Sequence, residues 1–310
     1  MSLMKPVHEA EVRQHPPEVS VVVAARNEAK HLHEALESIL RQDGVSFEVV
    51  FVDDHSTDDT LAIATALMPA YSHLKVVRNP GRGKCAAFNY GVAQATGRFV
   101  CIFAGDDIMP AGSLALRWSQ VRNLSDVAPA VGLSKLKTFS SIAKFDGHVV
   151  PRAPGKGALS GVSPLMNRPA VSMIFPVPES LPNEDTWMEL AILHFHGWTI
   201  VHSDVICCCW RVHAGNSINM SLPFQEYNKK LTSRMAALRL FYVKYKDMLT
   251  MENKLLLEAK VQCEERRAGG SVIGVIRSRV ALIDKLRALS VTNSFMYGVR
   301  SRLYGLLSGW

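Results

Sequence analysis

The sequence predicts an α/β protein: a doubly wound, largely parallel sheet followed by a helical C-terminal region. Three observations carry that expectation. Short Val-rich apolar runs alternate with segments of helical spacing between Val19 and Asp107. Glycines such as Gly44 and Gly97 stand where those helices must stop. From about Pro223 the strand signals vanish and only helical periodicity remains.

The elements follow in order. Val19–Ala24, Phe47–Val52, Leu74–Val77 and Phe99–Ala104 read as buried strands. Leu32, Leu36, Ile39 and Leu40 share a helix face, Leu61–Leu67 continues a helix opened at Ser56–Asp59, and Cys85–Ala95 forms a third helix. Ser56 and Asp59 have the spacing of a capping box. Leu114–Val121 is one more helix. Residues 125–180 are irregular, rich in Pro and Gly, with Val171–Phe175 as a strand candidate. Asn183–His196 is helical, with Asn183 as its N-cap, and Thr199–Val212 holds strand. Four helices are expected after that, at 224–247, 251–267, 272–289 and 295–307. The expected organisation is therefore an N-terminal arm (1–18), a sheet domain (19–222) and a basic helical region (223–310).

Composition narrows the class. At 48% hydrophobic and 20% charged residues the chain is globular rather than disordered. No apolar run approaches the roughly 18 residues a membrane span needs, and residues 1–18 carry no apolar stretch of the secretory type. Six cysteines, three of them consecutive at Cys207–Cys209, fit neither a disulfide framework nor zinc spacing, so a reduced, cytoplasmic protein is expected. Of the 35 Lys and Arg and 28 Asp and Glu, 16 and 7 lie in residues 225–310, leaving 19 and 21 before them. The sheet domain is thus near neutral, which argues against a nucleic-acid-binding core; the basic excess belongs to the C-terminal helices.

Ligands of open α/β sheets bind outside the carboxyl ends of the strands. The four strands are followed there by Ala25-Arg26-Asn27-Glu28, Asp53-Asp54-His55-Ser56, Asn79-Pro80-Gly81-Arg82-Gly83-Lys84 and Gly105-Asp106-Asp107. Two acidic pairs on one sheet edge repel unless a cation or hydrogen-bonding ligand lies between them. Oxygen ligands of this kind suit Mg²⁺ or Mn²⁺. Gly81-Arg82-Gly83-Lys84-Cys85-Ala86 also matches the outline of a dinucleotide fingerprint, but the turn is displaced from its strand by Asn79-Pro80 and the reading leaves Asp53 and Asp54 idle.

Taken together these segments resemble the family 2 glycosyltransferases of the GT-A fold. The resemblance runs over about residues 19–220. It rests on Arg26-Asn27-Glu28, on Val52-Asp53-Asp54-His55-Ser56-Thr57-Asp58 in place of VDDGSTD, and on Gly83, Ala87, Asn89 and Gly91. It continues through Phe103-Ala104-Gly105-Asp106-Asp107, Asn183-Glu184-Asp185, and Trp210-Arg211-Val212-His213-Ala214-Gly215-Asn216-Ser217. It implies a Rossmann-like mixed sheet flanked by helices. It also implies transfer of a hexosyl or related group from a nucleotide-diphospho sugar, UDP by default, to an acceptor hydroxyl, with inversion, in surface polysaccharide or glycoconjugate synthesis. The implied donor site comprises Ala25, Arg26 and Glu28, then Asp53 and Asp54 for the base, then Gly83, Lys84 and Asn89, and finally Gly105, Asp106 and Arg211. Asp106, Asp107 and His213 are the implied holders of Mn²⁺ or Mg²⁺. Asp185, beside Glu184, is the implied catalytic base; the helix N-terminus there favours its charged form. Glu189, one turn on, is a candidate for the acceptor pocket, whereas Trp187, His194, His196 and His202 read as structural.

Two departures stand out. Ala104 replaces the first acid of the family's commoner Asp-x-Asp-Asp, and His55 replaces a glycine. Ala104 is the main support for a rival reading, a nucleotide-binding or scaffold protein that keeps the fold without catalysis. The C-terminal helices also leave readings open. The implied acceptor is a saccharide or a lipid-linked saccharide. Residues 272–310 read either as a solvated basic face packed on the domain or as a peripheral membrane surface at the inner face of the membrane, with homo-oligomerisation as a third option.

Overall fold

The computed structural model describes residues 16–212 and 222–307. Its centre is one eight-stranded mixed sheet, ordered β3-β2-β1-β4-β7-β5-β6 with β8 also paired to β5. These strands are β1 (Val19–Ala25), β2 (Phe47–Asp53), β3 (Leu74–Arg78), β4 (Phe99–Ala104), β5 (Ala130–Phe139), β6 (Val149–Val150), β7 (Leu165–Asn167) and β8 (Thr199–Arg211). The first four are parallel, and their register brings Ala25 level with Asp53 and Ala24 level with Ala104. The carboxyl ends of β1, β2 and β4 therefore form one straight edge. β2 and β4 flank β1 on opposite sides, so the chain reverses its direction of progress across the sheet at β1. That switch point leaves a crevice over the edge.

Helices cover both faces, because strands buried on both sides must be apolar throughout. Val21 and Val23 point to the layer containing α1 (Ala29–Leu40), α2 (Thr60–Leu67) and α4 (Ser113–Val121). Val22, Val50 and Val52 point to the layer of α3 (Lys84–Gln94), α5 (Arg168–Ile174) and α6 (Asp185–His194). Helix α3 lies very close to the sheet. A Cβ added at Gly91 would stand 2.4 Å from Val22 Cγ1 and 2.9 Å from Val52 Cγ2. Gly91→Ala is accordingly expected to push α3 off the strands and destabilise the fold by about 1–3 kcal/mol, read as a lowered urea midpoint at unchanged m-value.

Helices follow the sheet, and the first two share its core. These are α7 (Phe224–Tyr245) and α8 (Met251–Ala268). Ala237, Leu238 and Phe241 of α7 and Leu257 of α8 are buried in the same cluster as Trp187 and Ile192 of α6. Beyond them come α9 (Val272–Ile276), α10 (Leu282–Leu289) and α11 (Ser294–Leu307). Among the described residues, no helix is long and apolar enough to cross a membrane.

Four local expectations are corrected. The 272–289 helix breaks between α9 and α10. Gly274 O, which a continuing helix would give to the Ser278 N–H, accepts instead from Ser278 Oγ and Arg266 Nη1, while Ser278 N donates to Val275 O. Val171–Phe175 is not a strand: Asn167 caps α5 by accepting from Ala170 N, and Pro169 fits its first turn. Ser56 and Asp59 form no capping box; Ser56 Oγ accepts from Asn27 N, and Asp58 accepts from Thr60 N. Asn183 is not the cap of α6, whose cap position is Glu184; its amide donates to Asp185 at 2.7 Å.

Candidate active site

The loops that follow the strands are tied to one another before they meet any ligand. Asn27 adopts a left-handed backbone (φ 56°), and its Oδ1 accepts from Thr57 N at 2.8 Å. Glu28 N donates to Thr60 Oγ1 and Ala29 N to Asp58 Oδ2, which fasten the β1 loop to the β2 loop. His55 also sits at positive φ (58°), the position where the family commonly has glycine. Its Nε2 lies 2.8 Å from Gly81 O, a bond that links the second loop to the third and offsets the strained backbone.

Asp53 and Asp54 have different surroundings. Asp53 is fully buried at the end of β2, where its carboxylate accepts from Ser56 N and lies 3.8 Å from Arg78 Nε. It shapes the loop and is not among the residues lining the cleft. Asp54 does line it, held by Asn79 Nδ2 at 2.8 Å and by Gly83 N at 3.0 and 3.1 Å. Gly83, at φ 98°, makes the turn into α3 that delivers this N–H.

The fourth loop closes the floor. A Cβ at Gly105 would meet Ala25 Cβ at 2.6 Å, so only glycine lets the ends of β1 and β4 come this close. Asp106 and Asp107 line the cleft beside it. Asp107 is nearly buried; its Oδ1 accepts from Arg211 N at 2.8 Å and its Oδ2 from the Cys208 thiol at 3.4 Å. Burial and then the charge of Asp106 push its pKa up to about 7, against those two hydrogen bonds. Arg211 supports this turn from behind. Its Nε donates to Asp106 O, its Nη2 to Glu34, and its guanidinium stacks over Phe139. It is not among the residues lining the cleft, and neither is Asn89, whose amide exchanges two bonds with the backbone of Val177.

On the opposite wall, the N-terminus of α6 presents Glu184 and Asp185. Glu184 is almost fully buried, with Oε1 3.1 Å from Lys84 Nζ. Burial disfavours the Lys84 ammonium, but the Glu184 carboxylate outweighs it and raises the lysine pKa. Asp185 Oδ1 accepts from Thr186 N and Asn183 Nδ2, both at 2.7 Å. Its Oδ2 accepts from Arg234 Nη2 at 2.5 Å, and Arg234 Nε donates to Thr186 Oγ1. Arg234 comes from α7, some 50 residues away in sequence, and no local pattern marks it. Glu189 lines the cleft one turn further along α6, its pKa raised by burial. Trp187, by contrast, is core, and His194 is buried.

Asp54, Gly83, Lys84, Asp106, Asp107, Glu184, Asp185 and Glu189 face one cleft of about 940 Å³. Val150, Pro151 and the run Gly157–Val162 complete its rim; the sequence carried no functional signal there. Gly157 packs so closely on β5 that a Cβ would stand 2.2 Å from Leu133 O. His213 lies outside the described residues, and among the described ones no group of three or more His, Cys, Asp or Glu is placed to hold a metal. Asp106 and Asp107 nevertheless fit a hard divalent cation. They are adjacent carboxyls, and positive charge would offset both the burial and the Asp106 charge that raise the Asp107 pKa.

Comparison with known proteins bears on the family and the fold. The model of the family described as glycosyl transferase family 2 matches residues 20–131. The succinoglycan biosynthesis protein ExoO of Rhizobium meliloti is 35% identical over 133 residues, 43% of this chain and 36% of its own length. Glycosyltransferase GlyG of Streptococcus pneumoniae is 34% identical over 105 residues, 34% of this chain and 35% of its own. The chain thus spans about a third of the length of these curated relatives. Among solved structures, residues 1–349 of Staphylococcus aureus TarS with UDP-GlcNAc superpose with a TM-score of 0.60 at 22% identity, covering 92% of this chain and 81% of that one. The mannosyltransferase PcManGT of Pyrobaculum calidifontis, with GDP-Man and Mn²⁺, superposes with a TM-score of 0.56 at 16% identity, covering 99% and 92%. Residues 20–131, which carry the first four strands and their loops, match the glycosyl transferase family 2 model, and the fold is that of the GT-A glycosyltransferase structures.

Proposed function

We propose that the cleft transfers a sugar from a nucleotide-diphospho sugar, UDP-linked, to an acceptor hydroxyl with inversion at the anomeric carbon, as a step in polysaccharide synthesis at the cytoplasmic face of a membrane. One observation carries this reading: the loops after β1, β2 and β4, the start of α3 and the N-terminus of α6 all face a single cleft. The name of the ExoO relative supports the polysaccharide context, and the UDP-GlcNAc of the TarS structure supports the donor class.

Each residue then has a physical task. Asp54, held by two N–H donors, accepts from the nucleobase, and Arg26 and Glu28 flank the base and ribose. Asp106 and Asp107 would hold a Mg²⁺ or Mn²⁺, which would supply Lewis-acid neutralisation of the departing diphosphate. Lys84, kept cationic by Glu184, adds a second positive charge to the same wall. Asp185 takes the proton of the attacking hydroxyl as the carbon–oxygen bond to the diphosphate breaks. Arg234 fixes the orientation of that carboxylate. Arg234→Met is therefore expected to lower kcat by about 10- to 100-fold with little change in the donor KM, measured by steady-state release of UDP.

Calorimetric titration tests the donor site. UDP with Mn²⁺ is expected to bind the intact protein, and Asp54→Ala to weaken it at least about tenfold. Binding of GDP but not UDP corrects the base; binding of neither removes the transferase reading and leaves the scaffold.

A further inference from the structure

The outermost helices present a surface that the sugar-transfer chemistry does not use. Ile273 and Ile276 of α9, Leu282, Ile283 and Leu286 of α10, and Phe295 of α11 are all more than half exposed, Leu282 at 71% and Phe295 at 75%. Helix α10 buries none of its eight residues. Isolated exposed leucines need no explanation, but six large apolar side chains between Ile273 and Phe295 do.

Charge placement decides what covers them. At about 100° per residue, Leu282, Leu286 and Ile283 fall on one arc of α10, Lys285 and Arg287 flank its two edges, and Asp284 lies on the back. Arg277 and Arg279, between α9 and α10, are exposed as well. Residues 269–310 contain six Lys and Arg and a single acid, Asp284, which lies 3.9 Å from Arg287. A second copy of the same surface would meet like charge with like charge. A polyanion in solution would satisfy the arginines and leave the isoleucines and leucines in water. An anionic bilayer satisfies both: apolar side chains enter the headgroup boundary while flanking Lys and Arg reach the lipid phosphates.

We infer that α9, α10 and the start of α11 form a peripheral docking surface for an anionic lipid bilayer. The docking surface does not rest on the proposed transferase reading: none of the residues of α9, α10 or α11 is among those lining the cleft.

The test is co-sedimentation of the full chain with vesicles, without nucleotide. Phosphatidylcholine vesicles containing about one third phosphatidylglycerol are expected to pellet the protein, and pure phosphatidylcholine vesicles to leave it in solution; binding should weaken as salt rises. The triple variant Leu282→Ser, Ile283→Ser, Leu286→Ser is expected to bind at least about tenfold more weakly, because insertion requires the apolar arc. Arg277→Glu with Arg279→Glu is expected to do the same. Those five side chains are exposed, so both variants should keep the wild-type melting temperature and UDP affinity, which separates loss of docking from loss of the donor site. Three results overturn the inference: no pelleting with anionic vesicles, undiminished binding of the serine variant, or a wild-type dimer in solution that the serine variant abolishes.

Discussion

Asp185→Asn is expected to lower the rate of sugar transfer by about 10²–10⁴ while leaving UDP affinity within a few fold. The carboxamide keeps the size of the side chain, and its oxygen can still accept from Asn183 and Thr186, but it has no basic atom for the acceptor proton. It also meets Arg234 without a negative charge, so a modest loss of stability accompanies the kinetic loss. Donor binding is spared because Asp54, Gly83 and Asp106 hold their positions through bonds that do not involve α6. A variant that lost UDP affinity and turnover in parallel would place Asp185 in donor binding instead. Calorimetry and UDP release on the same preparation separate the two.

The largest stability effect is expected at Trp187. Its indole is fully buried, its Nε1 donates to Ile174 O at 2.9 Å, and it meets Phe241 of α7 edge to face at a centroid distance of 5.2 Å. Trp187→Ala removes this contact and strands the Ile174 carbonyl, with an expected cost of about 3–5 kcal/mol. Because Phe241 and Leu257 share its cluster, the loss should loosen α7 and α8 as well. Limited proteolysis is expected to cut the variant first between Lys246 and Thr250, where the two helices join. Equal proteolytic resistance would mean that the C-terminal helices hold to the domain without this aromatic contact.

The two predictions join parts of the chain that differ in legibility. β1 to α4 could be read from the sequence because each strand is a short, mostly apolar run rich in Val, Ile or Phe and each helix packs one face close at hand. The residues at the strand ends could be read with them, since the position of a loop after a parallel strand fixes which edge it occupies. β5 was not legible. Its run AVGLSKLKTF includes Lys135, a residue that argues against a buried strand. Lys135 is buried there because its Nζ reaches Asp204 and Ala153 O, partners far away in sequence. The division between Asp53 and Asp54 was also hidden: adjacent in sequence, they point to opposite sides of the β2 backbone, one into the loop and one into the cleft. Arg234 was invisible for the same reason as β5, since its meaning lies wholly in Asp185. His55 was legible as a departure from the family, but its compensation, the bond to Gly81 O, required the structure.

Ala104 is the departure that bears most on function. It lines the cleft without contributing a charge, so Asp106 and Asp107 must hold any cation with fewer acids than the family's commoner pattern supplies. Metal affinity should therefore be modest, and screening for activity belongs at millimolar rather than micromolar Mn²⁺.

The central claim is that this cleft breaks the bond between a sugar and a nucleoside diphosphate. The most direct measurement is NMR observation of UDP-GlcNAc, UDP-glucose and UDP-galactose incubated with the protein and Mn²⁺, alongside Asp185→Asn. The account predicts slow release of UDP from one of these donors by the wild type, with the freed sugar first appearing in the inverted anomeric configuration, and no release by the variant. Tight UDP binding with no donor cleavage by the wild type, even with acceptor lipids present, would contradict it and leave a nucleotide-binding scaffold.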